Sequence, residues 1–231
     1  YSCGGYQQLM KSDDLTLKFD AAKKYYDNQE FFKALPLLDE LHTLLRGTDK
    51  SEEIDYLLAY THYGLGSYTL ASYHFTKFTL KHPSSKHKEE LAYMSAYCYS
   101  LDSPKFSLDK SSTITAIEEL QFFIDEYPES TEKIDACNKL IDELTKKLQD
   151  KALSIAKLYY NVGDYKAAIT SLNNVILDFP AIKNIDDIQF LILDSNFKLA
   201  QNSVSSKTIE RFNNTLASYH YFEANYKNSL N

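Results

Sequence analysis

The chain has 231 residues, with 25 Lys and Arg against 32 Asp and Glu and a formal net charge of −7. It holds 19 Tyr and 13 Phe but 6 Gly and 5 Pro, where average usage gives roughly 16 and 12 of the last two. An intrinsically disordered chain lacks such aromatic content and is excluded, and the acidity argues against nucleic-acid binding, which needs a basic surface. No apolar run approaches the roughly 20 residues that span a bilayer. Sheets and long loops consume glycine and proline at their turns, so the shortage predicts helices joined by short connections.

At the N-terminus, Cys3 stands behind Ser2 and ahead of Gly4 and Gly5. A small residue before a cysteine resembles the end of a lipobox, whose cysteine becomes the acylated first residue of a bacterial lipoprotein. On that reading Tyr1 and Ser2 are remnants of a removed signal. Residues 1–14 then form a leash, and the lipid on Cys3 tethers a soluble body to the membrane without inserting any protein. Cys98 and Cys137 fall in helical patterns and read as small packing residues. The three cysteines have no metal-ligand spacing.

Self-similarity appears next. Ala34, Ala71, Ala116 and Ala168 are each followed four residues later by Leu38, Phe75, Leu120 and Leu172, and seven later by Leu41, Phe78, Phe123 and Val175. Those offsets share one helical face. Twelve later come Arg46, Pro83, Pro128 and Pro180, and proline cannot continue a helix interior. Before the anchors lie Phe31, Tyr68 and Tyr165, then Gln29, Gly66 and Gly163, then Tyr26, Tyr63 and Tyr160, then Ala22, Ala59 and Ala156. A small residue allows close helix approach, a glycine turns the chain at positive φ, and an aromatic fills the corner.

This is the tetratricopeptide signature, a helix–turn–helix unit of about 34 residues. The predicted fold is all-α, a right-handed α-solenoid of about five repeats forming one domain over 15–231. The repeats fall near 15–48, 52–85, 89–130, 149–182 and 185–228. The third holds an insertion at 101–112 with no assignable role. Sustained apolar spacing from Glu132 to Tyr160 predicts one long helix, and Ile185 to Ala200 forms the first helix of repeat 5. Repeat ends need polar caps, so the apolar pattern up to Tyr226 calls for either further residues or a partner.

The first helices present Phe19, Lys23 and Tyr26, then Tyr56, Tyr60 and Tyr63, then Tyr93 and Tyr97. Spacings of four and seven residues put each set on one side of its helix. Tyrosine offers rigid apolar area with a polar tip, suited to a groove that receives a peptide with aromatic side chains; core packing between helices is the competing reading, strongest for Tyr26 and Tyr63. The six histidines are dispersed in sequence, and His82 and His87 read as solvated residues at a repeat junction. No catalytic or metal-binding motif is found, so the sequence predicts neither an enzyme nor a cofactor beyond the lipid on Cys3. Asp13-Asp14, Glu52-Glu53 and Asp186-Asp187 read as helix-start residues.

The order of cysteine, leash and five repeats resembles the BamD family, lipoprotein subunits of the outer-membrane β-barrel assembly (BAM) machinery. The resemblance rests further on A-K-x-Y-Y at Ala22–Tyr26, the Leu101-Asp102-Ser103-Pro104 insertion, A-I-E-E-L-Q-x-F at Ala116–Phe123 and A-K-L-Y-Y-N-x-G at Ala156–Gly163. It implies a periplasmic scaffold on the inner face of the outer membrane of a Gram-negative bacterium. Its partners would be the periplasmic domains of the barrel subunit BamA, other subunits of the machinery, and unfolded outer-membrane proteins. A periplasmic adaptor for cell-wall or division proteins is the alternative.

Overall fold

The computed structural model describes residues 3–102 and 110–226. The Cys3 side chain, expected to carry the lipid, and residues 103–109 of the insertion lie outside the described residues. Among those described the chain is helical and without strands. It runs α1 (Cys3–Met10), α2 (Leu15–Asp27), α3 (Phe31–Leu44), α4 (Ser51–Gly64), α5 (Tyr68–Lys81), α6 (Lys88–Asp102), α7 (Ser111–Glu126), α8 (Thr131–Asn161), α9 (Tyr165–Asp178), α10 (Ile185–Gln201) and α11 (Thr208–Tyr226). It forms two compact units, 1–144 and 145–231, dividing inside α8, where one domain over 15–231 was expected.

In the first unit, α2 pairs with α3, α4 with α5 and α6 with α7. The anchor alanines Ala34, Ala71 and Ala116 are fully buried, as are Ala22 and Ala59 on the facing helices. The residues four and seven positions on, Leu38, Phe75, Leu120, Leu41, Phe78 and Phe123, fill the space between pairs. Each such side chain contributes about 1.5–3 kcal/mol when withdrawn from water. In the second unit, Ala156, Leu172 and Val175 meet Ile188 and Ile192 of α10. The helices α5, α7 and α9 each stop two residues before the proline that follows them.

The hairpin corners follow one plan. The aromatic before each anchor opens the second helix, and its ring meets the tyrosine near the end of the first. The centroid separations are 5.9 Å for Tyr26–Phe31, 5.8 Å for Tyr63–Tyr68 and 6.0 Å for Tyr160–Tyr165. The connecting residue has positive φ each time, +72° at Gly66, +83° at Gly163 and +58° at Gln29. Glycine adopts this conformation freely, whereas a residue with a Cβ is strained by roughly 1–2 kcal/mol.

The N-terminal segment departs from the sequence reading. Residues 3–10, assigned to the leash, form α1, whose Tyr6, Leu9 and Met10 lie against the first core. Tyr6 donates to the Lys33 carbonyl at 3.0 Å, and its ring meets Tyr25 edge-on at 5.7 Å. Three residues at helical spacing bury a common edge, a pattern too short to stand out beside the long repeats. Lys18 of α2 is buried, and its Nζ reaches both Glu40 carboxylate oxygens at 2.7 Å.

The histidines, dispersed in sequence, gather in space. Buried Asp55 accepts from Lys81 and His82 at 2.7 Å, and His42 lies 3.3 Å away. His82 is therefore a largely buried partner of a carboxylate and not a solvated junction residue. The His62 and His74 rings stack at 4.8 Å, with His42 edge-on to His74 at 6.4 Å. Burial pushes His74 down to about 4, with His62 and His42 adding to the effect and Asp55 opposing it. Burial also lowers His62, against the opposing charge of Asp39.

Gln29→Gly should raise stability by about 1 kcal/mol by removing the left-handed strain, read as a higher denaturation midpoint; a lower midpoint would show that the side chain does other work. His74 takes up a proton more readily unfolded than folded. Its contribution is therefore complete above pH 6.5 and is lost as pH falls from there towards 4. Melting temperature should decline over that interval, and His74→Gln should flatten the decline.

Candidate functional site on the first helices

The helices α2, α4 and α6 are the first members of three successive pairs. Ala22, Ala59 and Ala96 recur at the same interval along them, so flanking positions recur too. Phe19, Tyr56 and Tyr93 occupy one such row, and Lys23, Tyr60 and Tyr97 the next.

The structure separates these candidates. Phe19 is 6% exposed and belongs to the first core, with Lys50 Nζ above its ring at 4.8 Å, so it is not part of an accessible groove. Lys23 is exposed and pairs with Glu53 of α4 at 2.6 Å. Tyr26 and Tyr63 are half-buried corner residues, and burial pushes the Tyr26 hydroxyl up to about 12. Tyr56 and Tyr60 lie together at 4.7 Å between centroids, with Tyr63 6.4 Å beyond Tyr60. On α6, Tyr93 and Tyr97 stack at 6.0 Å and 11°, and Tyr93 rests edge-on against Phe123.

Glu90 binds the centre of this face, and the hydrophobic pattern gives no sign of it. Both Tyr56 and Tyr60 donate to its Oε1. His87 lies 3.1 Å from Oε2 and packs its ring on Tyr56 at 4.9 Å. Burial alone would raise the Glu90 carboxyl, but the bonds from Tyr60, His87 and Tyr56 outweigh it and hold the group below its ordinary range. Burial and the adjoining carboxylate raise both Tyr56 and Tyr60, keeping them protonated donors. The result is a half-buried aromatic strip with its hydroxyls directed to one anionic oxygen. Such a strip can take apolar side chains on its rings and peptide N–H groups on the remaining carboxylate lone pairs.

A related device occurs in the second unit. Tyr160 donates to Asp194, and Lys198 contacts both groups. Burial would raise Asp194, but the bonds from Lys198 and Tyr160 bring it below its usual value. Tyr56–Glu90 and Tyr160–Asp194 each link the first helices of adjacent repeats at the same separation of 34 residues. Elsewhere in this unit, α11 buries Phe222 alone and leaves Ile209, Phe212, Leu216 and Tyr219 exposed at helical spacing.

A family model described as YfiO, outer membrane lipoprotein, matches residues 12–212. The chain belongs to this family. The family is one of outer-membrane lipoproteins, and tetratricopeptide repeats are surfaces for protein–protein contact. No curated protein matches the sequence. Among solved structures, a Podosopora anserina protein described as a putative kinesin light chain with nearly identical TPR-like repeats is similar at 13% identity and a TM-score of 0.35, covering 89% of this chain and 94% of that one. A point variant of it gives 13% identity and 0.36, covering 91% and 96%. Among the described residues no helix is long and apolar enough to cross a membrane.

Glu90→Gln should cost about 1 kcal/mol at neutral pH, a charged hydrogen-bond acceptor's worth reduced for its solvent exposure. Because the folded carboxyl is depressed, this contribution is present above its ordinary value of 4.5 and lost as pH falls through the folded value. Urea denaturation at pH 7 and pH 3 should show a wild-type advantage that is smaller at pH 3.

Proposed function

We propose that the chain is a scaffold subunit of a β-barrel assembly machinery, held by a lipid on Cys3 at the periplasmic face of the outer membrane. It performs no bond-making. Its C-terminal repeats dock on the periplasmic domains of a BamA-like barrel subunit, and its tyrosine face receives aromatic-rich segments of unfolded outer-membrane proteins. Membership of an outer-membrane lipoprotein family supports the location. The observation that carries the client reading is the half-buried pair Tyr56 and Tyr60 held on Glu90, with Tyr93 and Tyr97 stacked further along the Glu90 helix, a surface able to be covered by a peptide. The apolar row on α11 supports the docking reading, since four exposed large side chains on one helix face call for a covering partner.

Tyr97→Ala with Tyr56→Phe should weaken binding of an aromatic-ended barrel peptide at least fivefold in fluorescence polarisation, with helicity retained. Unchanged affinity would remove this face from client binding. Ile209→Asp with Leu216→Asp alters exposed positions, so the fold should persist while co-purification with the barrel subunit from gentle detergent extracts is lost. Retained co-purification would move the docking surface elsewhere. Cys3→Ala should release the chain from membranes once the barrel subunit is washed away.

A further inference from the structure

A cavity of about 440 Å³ opens in the first unit where the end of α3 meets α4 and α5, on side chains that take no part in the tyrosine face. His42, Arg46, Asp55, His74, Lys77 and Lys81 supply its polar walls. Asp55 is the one carboxylate among the lining residues, and it is already engaged by Lys81, His82 and His42. Lys81 divides its remaining capacity between Asp55 and the Ser51 hydroxyl at 2.8 Å. Arg46 and Lys77 form no ion pair among the described residues, and Lys77 instead lies 5.5 Å from the Tyr73 ring centre. Two exposed cations without an ion-pair partner, Arg46 and Lys77, thus line the mouth of this cavity in a chain whose net charge is −7.

The chemistry of the walls favours one class of ligand. A guanidinium fork, an ammonium and imidazole N–H groups are donors, and the only carboxylate present is occupied. Burial keeps His74 neutral near pH 7, so it offers a hydrogen bond without adding to the repulsion between cations. A single carboxylate is matched by one arginine, whereas an arginine and a lysine converging on one space suit a group with three or more oxygens and greater charge. The volume leaves room for an organic substituent beside it.

We propose that this cavity binds a phosphate group. A phospholipid headgroup and a free phosphate or phosphate ester share that chemistry, and the site is independent of the assembly role proposed above.

The test uses the full chain carrying Cys3→Ala, so that no lipid anchor interferes. Inorganic phosphate should shift the His42 and His74 side-chain NMR signals along a saturable curve. Arg46→Gln with Lys77→Gln should weaken that binding at least tenfold while leaving the melting temperature without phosphate unchanged. A linear response matched by chloride, or saturation by acetate as readily as by phosphate, would overturn the proposal; the acetate result would point to acidic peptide instead. An unaltered phosphate affinity in the double variant would overturn it equally. Given saturable phosphate binding, flotation with phosphatidylcholine vesicles containing phosphatidylglycerol identifies the source. Binding lost in the double variant assigns a lipid headgroup, and no vesicle binding assigns a soluble phosphate.

Discussion

Eight alanines, Ala22, Ala34, Ala59, Ala71, Ala96, Ala116, Ala156 and Ala168, are at most 2% exposed, two to each of the first four helix pairs. At these points two backbones come close enough that a larger side chain would force them apart, and protein interiors tolerate little such overpacking. The contact fixes where one helix crosses the next, and with it which residues turn inward. Leu38, Phe75, Leu120 and Leu172 are fully buried because the alanine four residues earlier sets their height and direction.

The same constraint organises the opposite side of the first helices. With Ala22, Ala59 and Ala96 in equivalent places, a side chain at a given offset in one repeat faces its counterpart's neighbour in the next. Lys23–Glu53 and Tyr60–Glu90 are the same pair of positions one repeat apart, an ammonium in the first case and a phenol in the second. An ion pair has thereby been replaced by a neutral donor, which retains the hydrogen bond and adds an aromatic surface. Tyr160–Asp194, joined by Lys198, is a second tyrosine–carboxylate link between first helices, built from the corner position equivalent to Tyr63 and not from that of Tyr56.

Features that repeat were legible in the sequence, because periodic apolar residues and punctuating prolines leave a signal at several places at once. The long α8 and the beginning of α10 follow from such patterns, whereas the positive φ at Gln29, where the first repeat lacks the glycine, is seen only in the structure. Features that arise once were hidden. Lys18 sits where any charged residue reads as solvated, and only the approach of Glu40 from α3 explains its burial. His42, His62, His74 and His82 come together where α3, α4 and the α5 segment pack, which sequence distance does not measure. Phe19 shares its row with Tyr56 and Tyr93 yet is core, packed into the first cluster with Lys50 Nζ above its ring. Glu90 stands in the first turn of α6, and its role depends on two tyrosines from another helix.

The buried thiols have a consequence for the life of the chain before it is folded. Cys98 lies in the second core and Cys137 in the third, and burial raises them to about 12 and about 11. Packed in this way they hold almost no thiolate, the form that attacks oxidants and other sulfurs. Unfolded, both are ordinary cysteines open to mispairing, so in an oxidising compartment collapse of two neighbouring repeats must outrun sulfur chemistry. Each cysteine is also a built-in clock, its alkylation rate reporting how often its own layer opens.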